Sequence, residues 1–189
     1  MKTVLLVHGD SDGVVSGALA YKFFTIKHKN QPIEVFFSHP AGLHVDLREF
    51  AKPGDTIFIA DIALSELHLE ELMKLFKIYS DKGELIYVDH HPEPLGISIK
   101  DIPGTIVYDI RCSSSELTYR FFEEQLGFEY SRVAVYGAIG DYLDETHLGL
   151  KRYWKSGIRG AYILKQEFYL KDWKLVGECT TSKDMLLNI

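Results

Sequence analysis

The chain has 189 residues, with 21 Lys and Arg against 27 Asp and Glu for a formal net charge of −6. Hydrophobic residues at 46% and charged residues at 25% match an ordinary globular composition and exclude a disordered, fibrous or low-complexity chain. No apolar run nears the roughly 20 residues of a membrane helix, so no membrane partner is expected. The opening run Thr3–Val7 is too short for a signal-peptide core and meets an acidic cluster by Asp10. Cys112 and Cys179 form no CxxC pair, so reduced thiols and a cytoplasmic location are expected.

Thr3–His8 reads as a buried strand, followed by a helix over Gly13–Lys29 with Val14, Ala18 and Tyr21 on one face. Ile33–Phe37 is a second strand, and Thr56–Ala60 a third after the turn Lys52-Pro53-Gly54-Asp55. Ser65 is placed to cap a helix reaching about Tyr79, which Asp81-Lys82-Gly83 ends before a fourth strand, Leu85–Val88. Thr105–Tyr108 is a fifth strand. Ser113–Ser115 then opens a helix through Gln125 that stops at Gly127, and the pattern is helical from Ser131 with a break near Thr146–Gly149.

Strands alternating with helices predict a doubly wound, mainly parallel five-stranded α/β sheet with helices on both faces and a helical C-terminal segment. The charge is uneven. Residues 146–189 hold eight basic and four acidic side chains, leaving +4 there and −10 on residues 1–145. A single α/β domain over residues 1–145 is expected, followed by a basic, aromatic helical tail over residues 146–189 that packs on it or leads to a second domain. Aromatics such as Trp154 and Trp173 among the cations suit either core packing or stacking on bases.

In doubly wound sheets, ligands bind outside the carboxyl ends of the strands. Three acid and histidine clusters fall there: His8-Gly9-Asp10-Ser11-Asp12-Gly13, Asp61, and Asp89-His90-His91. A fourth, Asp141, closes Gly137-Ala138-Ile139-Gly140. Parallel strands would bring the first three to one rim, where so many carboxylates and imidazoles need cations to coexist. Mixed His/Asp donors suit Mn²⁺, with Mg²⁺, Co²⁺ and Zn²⁺ as competitors. Two ions about 3.5–4 Å apart sharing one carboxylate would serve hydrolysis of a phosphoester.

The four clusters, in this order and strand-end context, resemble the motifs of the DHH phosphoesterases. That family includes RecJ nucleases, nanoRNases, cyclic-dinucleotide phosphodiesterases and family II inorganic pyrophosphatases. The resemblance spans roughly residues 1–145 and includes Ser113-Ser114-Ser115-Glu116-Leu117. It implies that His8 and Asp10 hold one metal, that Asp12, His90 and Asp141 hold the other, and that Asp61 bridges them. It implies further that Asp89 orients a ligand and that His91 faces the substrate phosphate. Ser113, Ser114, Ser115, Arg111 and His39 are candidate substrate contacts. The expected substrate is a short single-stranded nucleic acid or oligonucleotide, with pyrophosphate, polyphosphate and cyclic dinucleotides behind it. The Gly-rich, His-ended segment of a second family domain is not found, which fits a minimal enzyme, a shortened chain, or a homo-oligomer or partner chain that replaces that domain.

Two alternatives use the same residues differently. Asp10-Ser11-Asp12-Gly13 also fits haloacid-dehalogenase-type phosphatases, in which Asp10 would be the nucleophile. A phosphoesterase-like subunit of a replication or repair assembly is the other. His28, His44, His68 and His147 read as surface or helix-end residues.

Overall fold

A computed structural model describes residues 1–141. The basic segment 146–189, with its two tryptophans, lies outside the described residues. Five strands form one all-parallel sheet in the order β2-β1-β3-β4-β5. They are β1 Thr3–Val7, β2 Ile33–Phe37, β3 Thr56–Ala60, β4 Glu84–Asp89 and β5 Thr105–Tyr108. β1 and β3 are apolar at nearly every position because each is buried on both faces, which is how a central parallel strand differs from a half-exposed one. The chain steps from β1 outward to β2, then returns past β1 to β3, so its direction of winding reverses between β1 and β3. A crevice opens at such a reversal.

Alternation along the strands sorts the side chains between two cores. Val4, Leu6, Ile57, Ile59, Leu85 and Tyr87 pack with Leu43 and Leu47 of α2 (Leu43–Phe50) and with Leu72 and Phe76 of α3 (Leu69–Lys82). On the opposite face Phe58 meets Phe24 of α1 (Ser11–Lys27) and Phe122 of α4 (Ser114–Leu126). The Phe23 ring stacks on Phe122, tying α1 to α4, and α5 (Ser131–Gly140) packs against both helices.

Beyond shifts of a few residues at element ends, three departures from the sequence reading stand out. α1 starts at Ser11, two residues early, because the Asp10 carboxylate accepts the Gly13 N–H and caps it. Ser65 makes no capping bond; it precedes a 3₁₀ turn over Glu66–His68, and α3 begins only at Leu69. The α2 helix was not expected. It is eight residues long, has no side-chain cap, and depends on burying Leu43 and Leu47 while the Tyr79 hydroxyl donates to the Leu47 carbonyl. No helix among the described residues is long and apolar enough to cross a membrane.

Candidate metal centre

Strand register assembles the site. Val7 pairs with Ala60 and Ala60 with Val88, so the next residues along three adjacent strands, His8, Asp61 and Asp89, stand at one level, Asp89 as the last residue of β4. The ladder continues into them: the His8 N–H donates to the Ala60 carbonyl at 3.2 Å, and the Asp61 N–H to the Val88 carbonyl at 3.0 Å. Asp61 then turns with φ of 63°, the only described non-glycine residue in the left-handed region. Such backbone costs about 1–3 kcal/mol and persists where the surroundings impose it. Here it aims a carboxylate into the reversal crevice.

Helix termini bring the remaining acids. Asp12, in the first turn of α1, is fully buried against the N-terminus of α4. Its Oδ2 accepts the Ser114 N–H at 2.6 Å and its Oδ1 the Ser115 N–H at 3.0 Å. The close approach requires glycines. A Cβ on Gly137 would lie 2.8 Å from Asp12 Oδ1 and 2.3 Å from Ser115 Oγ, and one on Gly13 would lie 2.4 Å from the His8 carbonyl oxygen. Asp141 follows α5, as the residue after Gly140.

The result is one continuous cluster. His90 Nε2 lies 3.1 Å from Asp61 Oδ1, 3.1 Å from Asp141 Oδ2 and 3.9 Å from Asp12 Oδ2. His8 Nδ1 lies 2.7 Å from Asp10 Oδ2 and 3.9 Å from Asp61 Oδ2. Three donor sets share Asp61: Asp12, Asp61, His90 and Asp141 form one, His8, Asp10 and Asp61 another, and Asp61, His90 and His91 a third. Within each, the donor atoms lie within 4.8 Å of one another. Asp61 Oδ2 is buried with no hydrogen-bond partner. A buried carboxylate oxygen without a partner is costly. An all-oxygen-and-imidazole donor set around it has the chemistry to hold divalent cations.

Protonation follows this crowding. Burial drives the Asp61 carboxyl up to about 7 against the pull of His90, and Asp12 and Asp10 raise it further. Burial likewise raises Asp12, although the hydrogen bonds from Ser115 oppose it. For His90 burial opposes the charged ring, but the bonds to Asp141 and Asp61 prevail and lift it to about 10. Asp10 goes the other way: despite its burial, the Gly13 N–H and the Asp61 and His8 side chains hold it below the usual carboxylate value.

Beside the cluster, His91 Nδ1 lies 2.8 Å from Asp89 Oδ1, a contact that raises the imidazole's pKa. The Tyr87 hydroxyl sits 2.8 Å from Asp89 Oδ2 and 2.8 Å from the Ile62 carbonyl, and burial keeps it protonated. Sequence reading missed Tyr87, whose only signal was a hydroxyl in an otherwise apolar strand. The Tyr108 hydroxyl donates to the His91 carbonyl at 2.6 Å.

Of the expected substrate contacts, the three serines are brought to the cluster, and Arg111 and His39 are not. Ser113, Ser114 and Ser115 are completely buried. Ser113 Oγ caps α4 by accepting the Glu116 N–H, Ser114 Oγ donates to Asp61 Oδ1, and Ser115 Oγ donates to the Ala134 carbonyl. Arg111 is exposed and paired with Asp109. His39 is exposed and belongs to none of these donor sets.

The architecture is therefore a doubly wound α/β domain with a His/Asp cluster at its winding reversal. Among solved structures it is similar to an exonuclease RecJ bound to manganese, with a TM-score of 0.51 and 19% identity over 74% of this chain and 38% of that one. RecJ from Thermus thermophilus in complex with Mn²⁺ is similar at 0.50 and 17%, over 74% of this chain and 21% of that one. The chain thus spans well under half of either neighbour. Neither a family model nor a curated protein matches the sequence.

Proposed function

We propose that this chain is a metal-dependent phosphoesterase of the DHH type acting on short single-stranded nucleic acid. The observation that carries the reading is the convergence of three other sequence clusters on one buried carboxylate, Asp61, whose Oδ2 has no hydrogen-bond partner. His8 and Asp10 would hold one divalent ion, Asp12, His90 and Asp141 a second, and Asp61 both. When bound, the ions supply charge neutralisation for the phosphoryl oxygens and activate water at neutral pH. Mn²⁺ is the favoured ion on donor chemistry, and the neighbouring RecJ structures contain it.

The chain's own groups have separate tasks. The α4 N-terminus fixes Asp12 through two backbone N–H groups, so its carboxylate cannot rotate away. Asp89 holds the Nδ1 side of His91 and leaves Nε2 to donate a proton to the departing oxygen. Tyr87 locks the other Asp89 oxygen. The catalytic body would be residues 1–145, and the +4 charge of residues 146–189 offsets its −10 when a polyanion approaches. The first RecJ neighbour is described as an exonuclease, which favours a nucleic acid over pyrophosphate or a cyclic dinucleotide. The aspartyl-phosphate alternative fits less well, because Asp10 Oδ1 accepts the Gly13 N–H and Oδ2 is engaged by His8.

A substrate panel tests the reading. The metal-stripped full chain, resupplied with Mn²⁺, is offered short single-stranded DNA and RNA, pyrophosphate and a cyclic dinucleotide. Mononucleotide release that requires Mn²⁺, with solvent ¹⁸O entering the product phosphate, is the expected result. Turnover of pyrophosphate alone would overturn the substrate class, and phosphate trapped on Asp10 would overturn the mechanism.

A further inference from the structure

β2 is an outer strand of the sheet, and its free side is apolar. Parallel pairing turns its even-numbered residues to β1: the Thr3 N–H donates to the Pro32 carbonyl and the Ser38 N–H to the Val7 carbonyl, both at 2.9 Å. Backbone groups alternate sides along a strand, so those of Ile33, Val35 and Phe37 point to the open edge, where no strand among the described residues meets them. Their side chains also share one face. Val35 and Phe37 stand beside Leu5 and Val7, on the face that Val7 turns to Gly17 of α1, and they are 45% and 66% exposed. On α1 itself Val14, Ala18 and Tyr21 recur at i, i+4 and i+7, on the side turned away from Phe23 and its partner Phe122. All three are exposed, because α4 and α5 cover the other flank of the helix.

Edge strands are usually guarded by a lysine, a proline or a bulge. Ile33–Phe37 has none of these, and its one charge, Glu34, pairs with Lys2 at 2.5 Å on the opposite face of the sheet. At the other edge, Ile106, Val107 and Tyr108 of β5 are only partly exposed. β2 is also its own complement. Antiparallel pairing about a twofold axis at Val35 sets Val35 against the same residue of a second copy, and Ile33 against Phe37. Every outward N–H and C=O then finds a partner, and each of these facing pairs is apolar. An axis at Glu34 would instead set two carboxylates against each other. The five exposed side chains offer roughly 400 Å² per copy, so two copies with their strand backbones would bury about 1,000 Å², enough for a specific interface of good complementarity.

We propose that the chain forms a twofold dimer through β2, which joins two five-stranded sheets into one of ten strands. The two β2 strands run antiparallel with Val35 on the axis. The α1 stripes of the two copies face each other on one side of the joined sheet, with Tyr21 and Phe37 filling the space between them. Because the strands of the two copies run in opposite directions, their rims point to opposite ends of the dimer and each metal centre stays open. Nothing in this dimer depends on the rim's chemistry.

Sedimentation equilibrium of the full chain over a range of concentrations tests this, together with disulfide trapping. Wild type is expected at twice the chain mass. Val35→Lys and Phe37→Glu, both at exposed positions, should each weaken association at least a hundredfold while circular dichroism stays that of wild type. In a Cys179→Ser background, Val35→Cys should form a disulfide between copies with oxidised glutathione, since directly facing residues of an antiparallel pair have Cα atoms about 5.5 Å apart. Ile33→Cys or Phe37→Cys alone should not, because each faces the other position rather than itself. Trapping adds a positive readout, which protects the test against a charged variant that fails to fold. A monomeric wild type would overturn the proposal and leave the face to a different macromolecule. A dimer that both charged substitutions leave intact, or one trapped as readily through position 33 or 37 as through 35, would overturn the β2 interface.

Discussion

The two halves of the rim cluster are built in opposite ways. In one, Asp12 and Asp61 have side-chain exposures of 0% and 1%, and His90 is the hinge between three carboxylates. In the other, His8 and Asp10 are 38% and 44% exposed, and Asp10 is satisfied by the cap it makes on α1. Burial raises both carboxyls of the first half, whereas hydrogen bonds lower Asp10 in the second. The open half can hold its charges in water, but the buried half must carry protons or cations. Asp61 belongs to both, so it is where the halves become one site.

The largest break should come from removing that shared carboxylate. Asp61→Asn is expected to lower Mn²⁺-dependent hydrolysis about a thousandfold, since losing the charge stabilisation of an ion costs several kcal/mol. Circular dichroism should still show a folded chain. Near-wild-type turnover would contradict the role given to Asp61.

Stability should separate the halves next. Asp12 accepts one backbone N–H on each oxygen, and an asparagine offers only one acceptor. Asp12→Asn should therefore cost about 1–3 kcal/mol in urea unfolding of the metal-free chain. Asp10→Asn should cost almost nothing, because asparagine caps a helix as well as aspartate does. Equal losses would mean that the two carboxylates are held alike.

Tyr87→Phe sharpens the account of His91. It removes the hydroxyl that reaches Asp89 and the Ile62 carbonyl while leaving the ring packed. A fall of about tenfold in kcat with KM unchanged is expected, in line with the loss of an outer hydrogen bond to a functional group. An effect on KM alone would point to substrate binding instead.

The pH dependence should also differ between the halves. Asp61, raised to about 7, favours the fold while protonated, so its contribution is complete below about pH 4 and is lost as pH rises through 7. His90, raised to about 10, favours the fold while charged, and that contribution is full below about pH 6.5 and lost as pH rises through 10. Asp10, lowered, contributes above its ordinary value and loses that only in stronger acid. Metal-free Tm should fall between pH 6 and pH 9, and the Mn²⁺-induced gain in Tm should grow over the same range. A metal effect that shrinks with rising pH would contradict the crowding argument.

The smallest effect is expected at Arg111, whose exposed guanidinium meets Asp109 rather than the cluster. Arg111→Ala should change stability by no more than about 0.5 kcal/mol. It should leave turnover of a small aryl phosphoester intact.

What was legible in the sequence was whatever depends on periodicity and strand ends. β1, β3 and β4 are short apolar runs, and in a parallel sheet the acids after them must share a rim, so His8, Asp61 and Asp89 could be grouped before any coordinates. The α2 helix was hidden because neither a cap nor a long periodic face announces it; it exists through burial of Leu43 and Leu47. The serines at 113–115 drew attention through their hydroxyls, yet it is the backbone N–H groups of Ser114 and Ser115 that grip Asp12. Side-chain identity gives no sign of a backbone donor. His44 and His68, 24 positions apart, read as surface residues because no local pattern shows that α2 and the turn before α3 press their rings together.

Electron paramagnetic resonance of the Mn²⁺-loaded full chain tests the central claim most directly. If one carboxylate joins the two halves, wild type binds a spin-coupled manganese pair, and Asp61→Asn shows only isolated ions. An uncoupled Mn²⁺ signal in wild type, unchanged by Asp61→Asn, would contradict the shared site.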